Sequence, residues 1–215
     1  MRILFLGDSI TQGVGASSPE HNYVSLVGKK TGHEVVNYGV SGTRIARQKR
    51  VSPSTAWDYD FRLRLTIMPD EADLVFVFGG TNDFGHGNLH LGKVGERVDN
   101  TFVGGLYLLI DSLIEKYGKE KLCFMLPLRR FDEAGQRCKG DCADQVGAPL
   151  SEYVECMRKV LAEYGIEYID LYKDGFPKPL VNSGDEYTVD GLHPNDNGYE
   201  FLSDIVSNYI KNRLS

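Results

Sequence analysis

Two kinds of apolar spacing alternate along this chain. Short, mostly apolar runs occur at 3–6, 35–38, 72–78, 122–126 and 166–169, and the first four stop at Gly7, Gly39, Gly79 and Pro127. Such runs, bounded by breakers, predict buried strands. Between them lie longer segments with apolar positions three and four apart: 22–30 (with Tyr23, Leu26 and Val27 on one face), 102–117, 153–164 and 197–214. That spacing predicts helices, and Gly118 and Gly165 sit where two of them should end.

Strands separated by helices make βαβ units, and βαβ units make a parallel sheet covered on both faces. The expected architecture is therefore a three-layer α/β/α fold with a mostly parallel five-stranded sheet. No repeat, linker or low-complexity tract interrupts it, so residues 1–215 read as a single domain. The segment 128–149 carries Gly, Asp, Cys and Arg with little periodicity, and a loop of that length is often a lid or a wall of a site.

Composition narrows the class. At 215 residues, 41% hydrophobic and 25% charged, the chain has the make-up of a globular protein that can bury a core. The formal net charge of -6 argues against a broad nucleic-acid surface, which needs a concentrated excess of cations. No stretch approaches the roughly 20 apolar residues of a membrane span. The N-terminal apolar run is shorter than the core of a signal peptide, about 7–15 residues, so a cytoplasmic location without membrane attachment is expected. Cys123 falls in a strand and reads as a buried, inert thiol. Cys138 and Cys142 form a C-x3-C pair with no His or second pair to complete a zinc set, so no metal is expected.

In an open parallel sheet, ligands bind beyond the carboxyl ends of the strands. There the sequence reads Gly7-Asp8-Ser9-Ile10, Gly39-Val40-Ser41-Gly42 and Gly79-Gly80-Thr81-Asn82-Asp83, and a fourth block near the C-terminus reads Asp190-Gly191-Leu192-His193-Pro194. Each is rich in small residues and holds one or two polar side chains. Ser9 can present a hydroxyl, a weak nucleophile that needs a base. His193 can be that base, and Asp190 can hold its tautomer. The N–H groups of Ser9 and Gly42 and the amide of Asn82 can meet a developing oxyanion.

These four blocks, in this order and spanning most of the chain, resemble the SGNH hydrolases, the GDSL esterase/lipase superfamily. The resemblance implies a flavodoxin-like fold and cofactor-free, metal-free hydrolysis of a small-molecule ester. It implies Ser9, Asp190 and His193 as catalytic residues and Ser9, Gly42 and Asn82 as the oxyanion hole. Ser9 would attack the ester carbonyl as His193 takes its proton, and water would then release the acyl group.

Other residues near these blocks invite bland and functional readings alike. Arg44, Arg47, Lys49 and Arg50 form a basic run that is either a solvated face or an anion anchor. Arg129 and Arg130 follow the fourth strand at the same rim. Arg44, Asp83 and Arg129 are the expected substrate contacts. His86 and His90 form an H-x3-H pair whose neighbouring glycines argue against a helix, and therefore against a metal site. Trp57, Tyr59 and Phe61 are either a sugar platform or ordinary packing. The expected activity is deacetylation of a small or carbohydrate substrate. The alternatives are a lysophospholipase- or thioesterase-like hydrolase, an acyltransferase on the same site, and a non-catalytic ligand-binding module. A nucleotide-binding flavodoxin-like protein fits the fold but lacks a phosphate-binding glycine motif after the first strand. Oligomeric state is left open by the sequence.

Overall fold

The computed structural model describes residues 1–134 and 148–214. Its five strands are β1 (Arg2–Gly7), β2 (Glu34–Gly39), β3 (Leu74–Phe78), β4 (Leu122–Met125) and β5 (Glu167–Ile169). All are parallel, in the order β2-β1-β3-β4-β5. Each predicted strand is present within two residues of its expected ends. The fold is the flavodoxin-like α/β/α sandwich.

The helices are α1 (Ser9–Gln12), α2 (Tyr23–Thr31), α3 (Phe61–Arg64), α4 (Thr81–His86), α5 (Phe102–Tyr117), α6 (Leu150–Tyr164), α7 (Leu171–Asp174) and α8 (Asp196–Leu214). The four long ones are those the apolar spacing predicts. The four short ones span barely a turn or two, too little for a period to show. One of them corrects an expectation: α4 includes Gly85 and ends on His86, so glycine does not keep this segment out of a helix.

Strand alternation sorts the core into two layers. Leu4, Leu6, Val75, Val77 and Phe124 pack with Leu106, Leu109 and Leu113 of α5 and with Val154, Met157 and Leu161 of α6. Ile3, Phe5, Phe76, Cys123 and Met125 pack on the other face with Val24 and Val27 of α2 and with Leu202, Val206 and Ile210 of α8. Side chains of successive strand residues point to opposite faces, so a strand buried on both must be apolar throughout. Cys123 is buried as expected. Cys138 and Cys142, and the middle of the 128–149 segment, lie outside the described residues. No described helix is long and apolar enough to cross a membrane.

The sheet order has a direct consequence for the site. From β1 the chain moves to one neighbour, β2, then returns past β1 to β3 on the other side. Such a reversal opens a crevice at the carboxyl ends of the strands. Register places Gly7 opposite Gly39 on one side and Phe78 on the other. The segments after all three strands therefore leave the sheet at one level.

Candidate active site

At the end of β1 the chain turns sharply into α1. The Asp8 carboxylate caps the helix, its Oδ1 accepting the Ile10 N–H at 3.0 Å. Ser9 is thus the first helical residue and not the cap, which removes the bland reading of its hydroxyl. A Cβ on Gly7 would lie 1.9 Å from Thr11 Oγ1, so only glycine lets α1 fold back so closely on the strand. Ser9 is 3% exposed.

The Ser9 Oγ lies 3.0 Å from His193 Nε2. His193 Nδ1 lies 2.7 Å from Asp190 Oδ2. The other carboxylate oxygen of Asp190 accepts the N–H groups of Leu192 at 3.0 Å and His193 at 2.7 Å. The three-residue offset is what lets one carboxylate cap its own turn and reach the ring. Burial works to raise the Asp190 pKa. The hydrogen bonds from the His193 side chain and backbone outweigh it and hold the carboxyl below its usual range. With a carboxylate on Nδ1, that nitrogen carries the proton and Nε2 is left as an acceptor facing the Ser9 hydroxyl. A second tie fixes this loop: Phe131 N–H donates to the Gly191 carbonyl at 2.8 Å.

The two remaining blocks stand beside Ser9 at the ends of β2 and β3. Gly42 has a left-handed φ of +76°, and a Cβ there would lie 2.1 Å from the Trp57 indole ring. Any side chain would be both strained and obstructed. Asn82 sits in the first turn of α4 and gives one amide hydrogen to the Thr43 carbonyl at 3.0 Å, which leaves its second for a ligand. The Asp83 carboxylate accepts the N–H groups of Ile45 and Ala46, both at 2.9 Å. Ser9, Asp190 and His193 are brought into contact. The bonds made by Asn82 and Asp83 tie the Gly42 loop to the first turn of α4, which carries Asn82.

The residues expected as substrate contacts all have partners within the protein. Asp83 is buried with both oxygens used on backbone donors, so it braces the Gly42 loop from within. Arg44 is 2% exposed and spends its guanidinium on Ser52, Asp58 at 2.9 Å and the His86 carbonyl at 3.3 Å. Arg129 forms a two-pronged pair with Glu133 at 2.7 and 2.8 Å and lies over the Tyr172 ring. Both arginines hold an internal carboxylate or carbonyl, and Asp83 holds backbone N–H groups. Of the three aromatic residues, Phe61 is core, whereas Trp57 borders Gly42 and meets the His86 ring at a 34° tilt with ring centres 4.5 Å apart. His86 ends α4, and His90 lies beyond it with its backbone bridged to Thr101, so the pair does not share a helix.

Burial dominates the electrostatics around the site. It pushes the carboxyl groups of Asp8 and Asp83 up to about 6 against the pull of their backbone hydrogen bonds. It also pushes His86 down to about 4, helped by the positive charge of Arg44. One brace escaped sequence reasoning. Arg64 is fully buried and donates to the carbonyls of Gly7 at 2.6 Å and Tyr38 at 2.5 Å. Nothing in Phe61-Arg62-Leu63-Arg64-Leu65 distinguishes it from Arg62, which is half exposed.

A five-stranded flavodoxin-like sandwich with a Ser-His-Asp relay at its strand ends defines a class of hydrolase. The profile of the GDSL-like Lipase/Acylhydrolase family matches residues 5–201, and the chain belongs to that family of ester-bond hydrolases. An acetylxylan esterase of Xylanibacter ruminicola is 25% identical, with 98% of this chain aligned to 43% of the relative. The chain thus spans less than half the length of that curated relative. A solved structure of a Lactobacillus plantarum protein is 26% identical, with a TM-score of 0.79 over 98% of this chain and 96% of that one. The carbohydrate acetylesterase Est24 of Sinorhizobium meliloti shares the fold at 15% identity, with a TM-score of 0.69 and 98% of each chain covered.

Proposed function

We propose that this protein is a serine esterase that removes acetyl groups from a carbohydrate through an acyl-enzyme on Ser9. One observation carries the reading: the Ser9 hydroxyl, the His193 ring and the Asp190 carboxylate form a continuous relay at 3.0 and 2.7 Å. In the first step His193 Nε2 takes the hydroxyl proton as Ser9 Oγ bonds to the ester carbonyl carbon. The negative charge moves to the carbonyl oxygen and is met by the N–H groups of Ser9 and Gly42 and the amide of Asn82. The carbonyl re-forms, the carbon–oxygen bond to the sugar breaks, and His193 returns its proton to the leaving hydroxyl. In the second step His193 takes a proton from water, whose oxygen attacks the acetyl carbon, and acetate leaves as Ser9 regains its proton. Asp190 keeps the ring oriented and stabilises it while it is cationic.

Membership of the ester-hydrolase family supports the chemistry. The choice of acetyl and of carbohydrate draws on the acetylxylan esterase relative and on the Trp57 ring beside Gly42, a flat apolar surface on which a sugar can stack. Acetylated xylo-oligosaccharides and p-nitrophenyl esters from acetyl to palmitoyl should separate acetyl transfer from longer-chain hydrolysis. The expected result is acetate release from the oligosaccharide and a kcat/KM that peaks at the acetyl ester. A maximum at eight carbons or more, with no acetate released, would replace the carbohydrate reading by a lipid one.

A further inference from the structure

We propose that Arg64 is a positioning residue that locks the nucleophile turn, the Gly42 loop and Asn82 into one rigid oxyanion site. This rests on the esterase reading above. Arg64 lies on α3, outside the four sequence blocks, and has no exposed surface. Its Nη1 donates to the carbonyl of Gly7, two residues before Ser9, and to the carbonyl of Tyr38 at the end of β2. Its Nη2 donates to Thr43 Oγ1 at 2.9 Å. The Thr43 hydroxyl passes its own hydrogen to the Val40 carbonyl at 2.7 Å, closing the turn that holds Gly42. The Thr43 carbonyl receives the Asn82 amide. One guanidinium is therefore one or two bonds from each of the three sources of oxyanion donors.

The chemistry of the side chain argues that this is more than filling. Burying a cation is costly, and a methionine or leucine would occupy similar space without that penalty. The planar fork is what fixes several acceptors at once. The protein tolerates an unmatched buried donor, Arg64 Nε, while the other two nitrogens hold these bonds. The ring of Phe61 supports the guanidinium from one side, 4.4 Å from its carbon. The carboxyl groups of Asp8 and Asp60 favour its charged form.

The test compares Arg64→Lys, Arg64→Met and Arg64→Ala with the wild type. The readouts are kcat and KM on p-nitrophenyl acetate, active fraction by fluorophosphonate titration, and affinity for phenylboronic acid, whose Ser9 adduct copies the tetrahedral intermediate. A misplacement of about 1 Å costs on the order of a hundredfold. A loss of that size is expected in kcat per titrated site, with KM nearly unchanged and boronate affinity falling in parallel. Millimolar methylguanidinium should restore part of the Arg64→Ala rate. Arg64→Lys serves if the other two do not fold. Wild-type kcat and boronate affinity in a folded variant, with only thermal stability lowered, would reduce Arg64 to a structural residue. A wild type that hydrolyses no acyl ester would instead overturn the esterase reading itself.

Discussion

Three titratable residues beside the site, buried Asp8 and Asp83 and half-buried His86, set opposing pH dependences. Asp8 and Asp83 have native pKa values raised to about 6, so the folded state holds more protons than the unfolded one between about 4 and 6. Their contribution to stability is complete below the unfolded value and is lost as pH rises through 6. His86, lowered to about 4, binds fewer protons when folded, so its contribution grows as pH rises from 4 towards 6.5. The wild type should therefore show a shallow melting profile across this window. Replacing His86 by Asn should make Tm fall more steeply with rising pH, and Asp83→Asn should flatten the profile, because one raised carboxyl then opposes one lowered histidine. Parallel profiles for all three proteins in a pH series of thermal melts would remove these assignments. The relay residues divide differently. Loss of a triad nucleophile or base costs on the order of a million-fold in kcat, and loss of the acid on the order of ten-thousand-fold. Ser9→Ala and His193→Ala should show the larger loss and Asp190→Ala the smaller, in steady-state assays with p-nitrophenyl acetate. The relay was legible in the sequence because Ser9 follows a strand and its glycine, and Asp190 and His193 flank the turn glycine Gly191. Arg64 and the internal use of Arg44 and Arg129 were not. An arginine's partner is decided by tertiary packing, and no spacing along the chain encodes it.

At the scale of elements, the site depends on how three loops leave adjacent strands. Five strands were legible as apolar runs bounded by glycine or proline and four long helices by their three-to-four spacing, since burial on two faces imposes the first and burial of one stripe the second. The one- and two-turn helices were not, and one of them, α4, carries Asn82. Its N-terminal turn matters more than its length, because that turn aims the amide past the Thr43 carbonyl. Removal of one oxyanion donor typically costs about 10²–10³ in kcat. Asn82→Ala should fall in that range with KM nearly constant. A change confined to KM would mean that Asn82 binds the substrate's ground state instead. Gly42→Ala should do comparable damage for a steric reason, since a methyl there meets the Trp57 ring. Combining Gly42→Ala with Trp57→Ala should relieve the clash but recover only part of the stability and little of the rate, because the left-handed backbone remains strained.

At the scale of the whole molecule, the sheet is the reference frame for the relay, which joins residues 184 positions apart in sequence. Ser9 is fixed to the end of β1, between β2 and β3 in the sheet, while His193 arrives on the loop before α8. Helix α8 packs on the same face as α2, and Pro194 lies against Gly15 just after α1. Loosening that face should separate the relay before it unfolds the protein. Phe76, buried in β3 and stacked on Phe5 with ring centres 5.0 Å apart, is its keystone. Phe76→Ala should cost about 3–5 kcal/mol in denaturant unfolding. Tyr168→Ala, on the edge strand and 37% exposed, should cost far less. Equal costs at the two positions would contradict the layered core.

The most direct trial of the account is rapid-quench mass spectrometry of the intact protein during turnover of p-nitrophenyl acetate, with peptide mapping of the product. One acetyl group should appear transiently on Ser9, formed and lost at rates consistent with steady-state kcat, and should be absent from Ser9→Ala. Acetate release without an adduct at Ser9, or undiminished turnover by Ser9→Ala, would contradict the covalent mechanism built on this relay.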